Sequence, residues 1–130
     1  MSADGRIIHH DQIGEVPADK LTRRRIISLE KAVRLMMNAL LQKEHLTSRQ
    51  SRDPGNLRWG GAITRTDGVV DSFTGFTEEQ DEACMLVLYV VENGSKDSTE
   101  LFAAVTEANN NSFATRLLKE WDGRRPIPTT

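Results

Sequence analysis

Residues 60–94 read GGAITRTDGVVDSFTGFTEEQDEACMLVLYVVENG, and the expected fold is organised around them. Two short runs rich in β-branched and apolar residues, Leu57 to Thr64 and Val69 to Thr74, flank Thr66-Asp67-Gly68. Asp-Gly between such runs signals a hairpin, because glycine takes a positive φ cheaply. Thr77-Glu78-Glu79-Gln80 then matches a capping box. The threonine hydroxyl can accept from the third helical amide, the glutamine can reach back, and the acids suit the positive end of the helix dipole. A helix is therefore predicted from Glu78 through Ala83, Met85 and the run Leu86 to Val91, apolar on nearly every side and hence central. Asn93-Gly94 supplies a left-handed C-cap. The β-branched content of Leu86 to Val91 keeps a strand open as the rival reading.

Upstream, Ile26, Leu29, Val33, Met36 and Leu40 recur in steps of three and four, which places them on one stripe of a long helix starting near Leu21. Leu21, Ile27, Met37 and Leu41 widen that stripe beyond what one small partner would cover. The polar segment His45 to Asn56, with Pro54-Gly55, reads as a flexible loop, and His45 as a partner for the helix's terminal carbonyls. Residues 1–19 read as a flexible N-terminal arm, at most with a short strand through Arg6 to His9.

Downstream, Asp97 to Glu100 can cap a helix with Phe102, Val105, Phe113, Leu117 and Trp121 compatible with one face. Asn109-Asn110-Asn111-Ser112 interrupts it, which leaves one helix or two, the second capped by Ser112. Asp122-Gly123 and the prolines beyond it end the ordered structure. The expected fold class is α+β: a long N-terminal helix, a β-hairpin, a buried central helix and one or two C-terminal helices in one domain over 20–123, with a flexible tail over 124–130.

At 130 residues the chain fits a single domain with one core. Its 17 Lys and Arg against 19 Asp and Glu give a net charge of -2, so no global field draws it to nucleic acid or anionic lipid. The longest apolar run, Ala83 to Val91, is too short to span a bilayer, and the N-terminal residues lack a signal-peptide pattern. A cytoplasmic protein is expected. The single cysteine excludes an internal disulfide and a multi-thiolate zinc site.

Each residue that could carry chemistry also has a structural role to fill. Cys84 sits one turn into the central helix among acids that oppose a thiolate, and reads as a small core residue. His9-His10-Asp11 lies on the arm without the companion spacing a metal site needs. Glu78, Glu79, Asp81 and Glu82 could form a carboxylate pair, but helix-start electrostatics accounts for them more simply. Arg23-Arg24-Arg25 points in several directions with no interleaved aromatic residues, which reads as a solvated helix start. Gly60-Gly61 fits no phosphate-loop pattern. Its glycines indicate close backbone packing that leaves room for another element or a ligand, with Trp59 and Phe73 beside the gap.

The stretch GGAITRTDGVVDSFTGFTEEQDEAC, residues 60–84, resembles the C-terminal part of the GlcG-like family of small haem- or cofactor-associated domains, through Gly75, Thr77, Glu79, Gln80, Asp81 and Glu82. The family's Asp-x-Gly-Gly hairpin and Arg-Met-Asp-Gly segment have no counterpart between Glu44 and Leu57. The helix, hairpin, helix order also resembles roadblock-like and profilin-like modules. No ligand residue follows from either likeness.

Two functional expectations result. The first is a non-enzymatic homodimeric assembly or interaction module. Its interface would use Ile26, Leu29, Val33, Met36 and Leu40, and a second subunit or the N-terminal arm would cover the hairpin edges. The alternative is a small-ligand or haem-type sensor using Trp59, Gly60, Gly61, Phe73 and Cys84. No catalytic residue, metal site or cofactor is assigned, and neither nucleic acid nor membrane is an expected partner.

Overall fold

The computed structural model describes Met1, residues 17–41 and residues 47–124, the side chains of 122–124 excepted. His9, His10, Asp11, His45, most of the expected arm and the tail from 125 onward lie outside the described residues. The element order is helix α1 (Ala18–Leu40), strand β1 (Ala62–Thr64), strand β2 (Val70–Ser72), and helices α2 (Glu78–Asn93), α3 (Lys96–Ala108) and α4 (Ser112–Arg124). This is the expected α+β class, mostly helical, and the downstream segment resolves into two helices.

The hairpin pairs Ala62 with Ser72, Ile63 with Asp71 and Thr64 with Val70 in antiparallel register. Its turn closes with Gly68 N donating to Arg65 O at 3.0 Å and Arg65 N donating to Val69 O at 2.7 Å. Gly68 adopts φ 86°, so the loop is a three-residue turn with glycine at the left-handed position. Both strands are shorter than the runs predicted them. Leu57 ends a short 3-10 turn in the left-handed region at φ 57°, and that geometry cannot continue a strand.

The segment expected to be a flexible loop is also corrected over its described part. Thr47 and Ser48 are buried, Thr47 bridges Ile63 on the outer edge of β1, and Ala62 N donates to Ser48 Oγ at 3.0 Å. On the outer edge of β2, Met1 and Val70 exchange backbone hydrogen bonds of 2.6 and 2.8 Å. Each strand edge is thus met by chain from the same molecule.

Alternation along the strands sends side chains to two layers. Ala62 and Val70 pack with Ala32 and Leu35 of α1, joined by half-buried Met36 and by Met1. Ile63 points the other way into the main core, with Ala83, Met85, Leu86 and Tyr89 of α2, Leu101 and Val105 of α3 and Ala114 of α4. Helix α2 is the central element the sequence predicted, and Leu86 to Val91 are helical. Thr77 caps it, with Gln80 N donating to Thr77 Oγ1 at 3.2 Å and Thr77 N to Gln80 Oε1 at 3.2 Å. Gly94 closes it at φ 55°.

Two cap positions differ from expectation. Ser95, not Asp97 to Glu100, caps α3, its hydroxyl accepting from Ser98 N at 3.2 Å. Asn111, not Ser112, caps α4, its Oδ1 accepting from Ala114 N at 3.0 Å. Asn110 just before it takes φ 51°, a conformation asparagine tolerates better than most residues. Helix α4 passes Gly123 and ends at Arg124, one residue beyond the expected domain boundary.

Candidate functional site

Helix α1 carries the least expected arrangement. Its inner face is built from Ser28, Lys31, Ala32, Leu35 and Asn38, of which all but Ser28 are buried. The face about half a turn away carries Ile26, Leu29, Val33 and Leu40 at 62%, 44%, 42% and 71% exposure, with Met37 beside them. Four of the five residues assigned to an interface therefore face away from the molecule, and Met36 is shared with the inner cluster.

The reason lies in the inner layer. Lys31 is 1% exposed, its Nζ donating to Phe73 O at 2.8 Å and meeting Asp81 Oδ2 of α2 at 3.3 Å. A Cβ on Gly61 would lie 2.7 Å from that Nζ and 2.8 Å from Asp81 Cβ, and Gly61 sits at φ 118°. Only glycine fits both the conformation and the space. The gap inferred at Gly60-Gly61 is thus occupied by a buried ion pair joining α1 to α2. Gly60 lies against Arg49, whose Cβ would be 3.1 Å from an added side chain.

Burial pushes the Asp81 carboxyl above its ordinary range, with Lys31 and the Phe76 amide opposing the shift. Burial likewise lowers the Lys31 ammonium, with Asp81 opposing. Desolvation thus outweighs mutual attraction at both groups.

Three of the four acids at the start of α2 have separate tasks. Glu78 binds the Arg52 guanidinium at 2.6 Å and accepts from Gly60 N at 2.7 Å. Asp81 holds Lys31 and also accepts from Phe76 N at 2.9 Å. Glu82, fully buried, accepts from Asn109 Nδ2 at 2.6 Å and Asn111 Nδ2 at 2.8 Å. The asparagines read as helix breakers are the clamp on this carboxylate. Thr47-x-x-Gln50 repeats the spacing of Thr77-x-x-Gln80, and Thr47 N does donate to Gln50 Oε1 at 3.1 Å. That pattern was the available signal for the ordered turn before β1.

Over the ion pair, between the first half of α1 and residues 74–78, lies a cavity of about 520 Å³. Trp59, Thr74 and Phe76 line it together with Lys20, Arg23 and Arg24. Of the residues proposed for a ligand, Trp59 lines this cavity and Gly61 underlies the Lys31–Asp81 floor. The Phe73 ring packs against the main core, 5.8 Å from the Phe76 ring. Cys84 also packs against the main core, and burial, then the Asp81 charge, pushes its thiol up. A raised thiol packed in a core is a poor haem ligand, and all three histidines fall outside the described residues. Among the described residues no group of three or more His, Cys, Asp or Glu is placed to hold a metal ion, and no helix is long and apolar enough to cross a membrane.

No protein-family model, curated protein or solved structure matches the chain.

Proposed function

We propose that this chain is a homodimeric assembly module in which α1 pairs with α1 of a second copy, parallel and in register. The observation that carries the reading is the apolar stripe of α1 turned away from its own body. Single exposed aliphatic residues are ordinary, but Ile26, Leu29, Val33, Met37 and Leu40 continue for four turns.

The occupant that best suits this stripe is its own copy. Counted in heptads, Ile26, Val33 and Leu40 take a positions and Leu29 a d position, while the next d position, Met36, is shared with the inner cluster. β-Branched residues at a with leucine at d favour a parallel two-stranded pairing. In that arrangement Arg25 (g) faces Glu30 (e) of the second copy, opposite charges at the position where such pairs set partner and orientation. Arg25 is exposed and has no ion-pair partner among the described residues, while Glu30 keeps part of its surface beyond its bond to Arg34.

The seam spans 15 residues from Ile26 to Leu40, a rise of about 21 Å, so a pairing of modest, micromolar strength is expected rather than an obligate dimer. Sedimentation equilibrium across the micromolar range tests this. The native chain should shift from one copy to two, and Val33→Asp, which places a charge in the seam without touching the inner face, should stay a monomer with unchanged helicity. A native chain that remains monomeric throughout the range would overturn the reading. It rests on α1 and draws nothing from the GlcG-like resemblance of residues 60–84. A cytoplasmic setting belongs to the same proposal.

A further inference from the structure

We infer that the cavity over the Lys31–Asp81 pair is a binding site for a small planar organic anion, an aromatic carboxylate or phosphate ester, held between Trp59 and Phe76 with its charge toward Lys20, Arg23 and Arg24.

Charge accounting within the cavity supports this. Two carboxylates line it, Glu78 and Asp81. Glu78 is neutralised from outside by Arg52 at 2.6 Å and bonded by Gly60 N. Asp81 is taken by Lys31 at 3.3 Å and by Phe76 N. Lys20, Arg23 and Arg24 have no carboxylate partner among the described residues, so the cavity presents three uncommitted cations. They recur at steps of three and four on the inner side of α1, the same side as Ile27 and Lys31. Their heads therefore converge on one space rather than spreading around the helix.

The apolar half of the site is as specific. Phe76 is 66% exposed although it stands beside the Phe73 ring, and a large aromatic side chain left in water at a cavity mouth is the wall a flat ligand would cover. Trp59 is half-buried, its carbonyl fixed by the Arg34 guanidinium. Thr74 also lines the cavity, and its Oγ1 is buried with no hydrogen-bond partner among the described residues. A volume of about 520 Å³ suits a ligand with one or two fused rings. The site lies on the side of α1 opposite the exposed stripe, so it is independent of self-association.

Calorimetry with 2-naphthoate, 2-naphthyl phosphate, neutral 2-naphthylmethanol and inorganic phosphate tests the inference, read beside amide and indole chemical shifts. Both aromatic anions should bind saturably and move the Trp59 indole and the amides of 74–77. The neutral alcohol and inorganic phosphate should bind at least about tenfold more weakly. The tighter of the two anions identifies carboxylate or phosphate as the natural head group. Arg23→Gln with Arg24→Gln should weaken both by about tenfold or more, and Phe76→Ala should weaken both while leaving the unfolding transition in place. Equal affinity for the neutral alcohol, unchanged affinity in the double arginine variant, shifts confined to other residues, or no binding at millimolar ligand would each overturn it.

Discussion

Replacing Lys31 by methionine removes the ammonium from the ion pair and leaves its apolar stem in place. The carboxylate that remains, Asp81, is 2% exposed; it keeps the Phe76 amide but loses its counter-charge. Breaking a buried pair from one side costs about 3–5 kcal/mol, a large share of the 5–15 kcal/mol that holds a small domain together. Asp81→Leu should cost a similar amount, because Lys31 would then have only Phe73 O. Desolvation outweighs attraction at both groups, so the double variant Lys31→Met with Asp81→Leu should recover most of the loss or exceed native stability.

The pH dependence has a definite sign. Burial holds the Asp81 carboxyl above 3.8 in the folded chain, and Lys31 works against that shift. Removing Lys31 raises it further. A group with a raised folded pKa binds its proton more tightly in the folded state, so stability is gained as pH falls through that value and is fully present below about 3.8. The deficit of Lys31→Met should therefore shrink between pH 7 and pH 4. Urea unfolding followed by far-ultraviolet circular dichroism measures all four corners of the cycle. Single variants within about 1 kcal/mol of native, or a double variant as unstable as the sum of its parents, would refute the reasoning, since neither is compatible with a desolvated pair.

Gly61→Ala should lose at least about 2 kcal/mol in the same assay, because φ 118° and a Cβ 2.7 Å from Lys31 Nζ are both unfavourable. Asn111→Ala removes the cap of α4 and one donor to Glu82, for about 2–3 kcal/mol by thermal unfolding. Asn111→Asp separates the two roles: a cap alone would tolerate aspartate, whereas a carboxylate against buried Glu82 should be worse than alanine. Burial pushes the Glu78 carboxyl up, but the Arg52 guanidinium and the Gly60 amide hold it below 4.5. Its stabilisation is thus present above that pH and lost on acidification through the folded value. Glu78→Gln should accordingly trail the native chain by about 1 kcal/mol at pH 7, and denaturant titrations at successively lower pH below 4.5 should show the gap narrowing.

What could be read from residues alone was local. Gly68, Thr77 with Gln80, and Gly94 each act within four positions of themselves, and the hairpin, the start of α2 and its end lie where those signals put them. The length of α1 and the existence of its stripe were legible for the same reason, since a helical period is a short-range pattern. Its orientation was not. Periodicity shows that Ile26, Leu29, Val33 and Leu40 share a side, but not whether that side meets the hairpin, and a lysine on the opposite side argues for the usual arrangement. Lys31 can turn inward because Gly61, thirty residues later, has no side chain and Asp81 supplies a counter-charge from another helix. The clamp of Asn109 and Asn111 on Glu82 has the same character. Asparagine before a helix reads as a breaker or a cap, and only the packed fold brings that buried carboxylate to it. The cavity was glimpsed through Trp59 alone, because its cations belong to a helix far upstream and read singly as solvated charge.

Cysteine pairing along α1 bears most directly on the central claim that its outward stripe is a seam between two copies. With Cys84→Ser as background, Ile26→Cys and Leu40→Cys place one thiol at each end of the stripe. In a parallel, in-register pair both should oxidise rapidly to covalent dimers, because each a position faces its own counterpart. Failure of either to cross-link at micromolar concentration, with circular dichroism showing the helices intact, would contradict the parallel pairing proposed for α1.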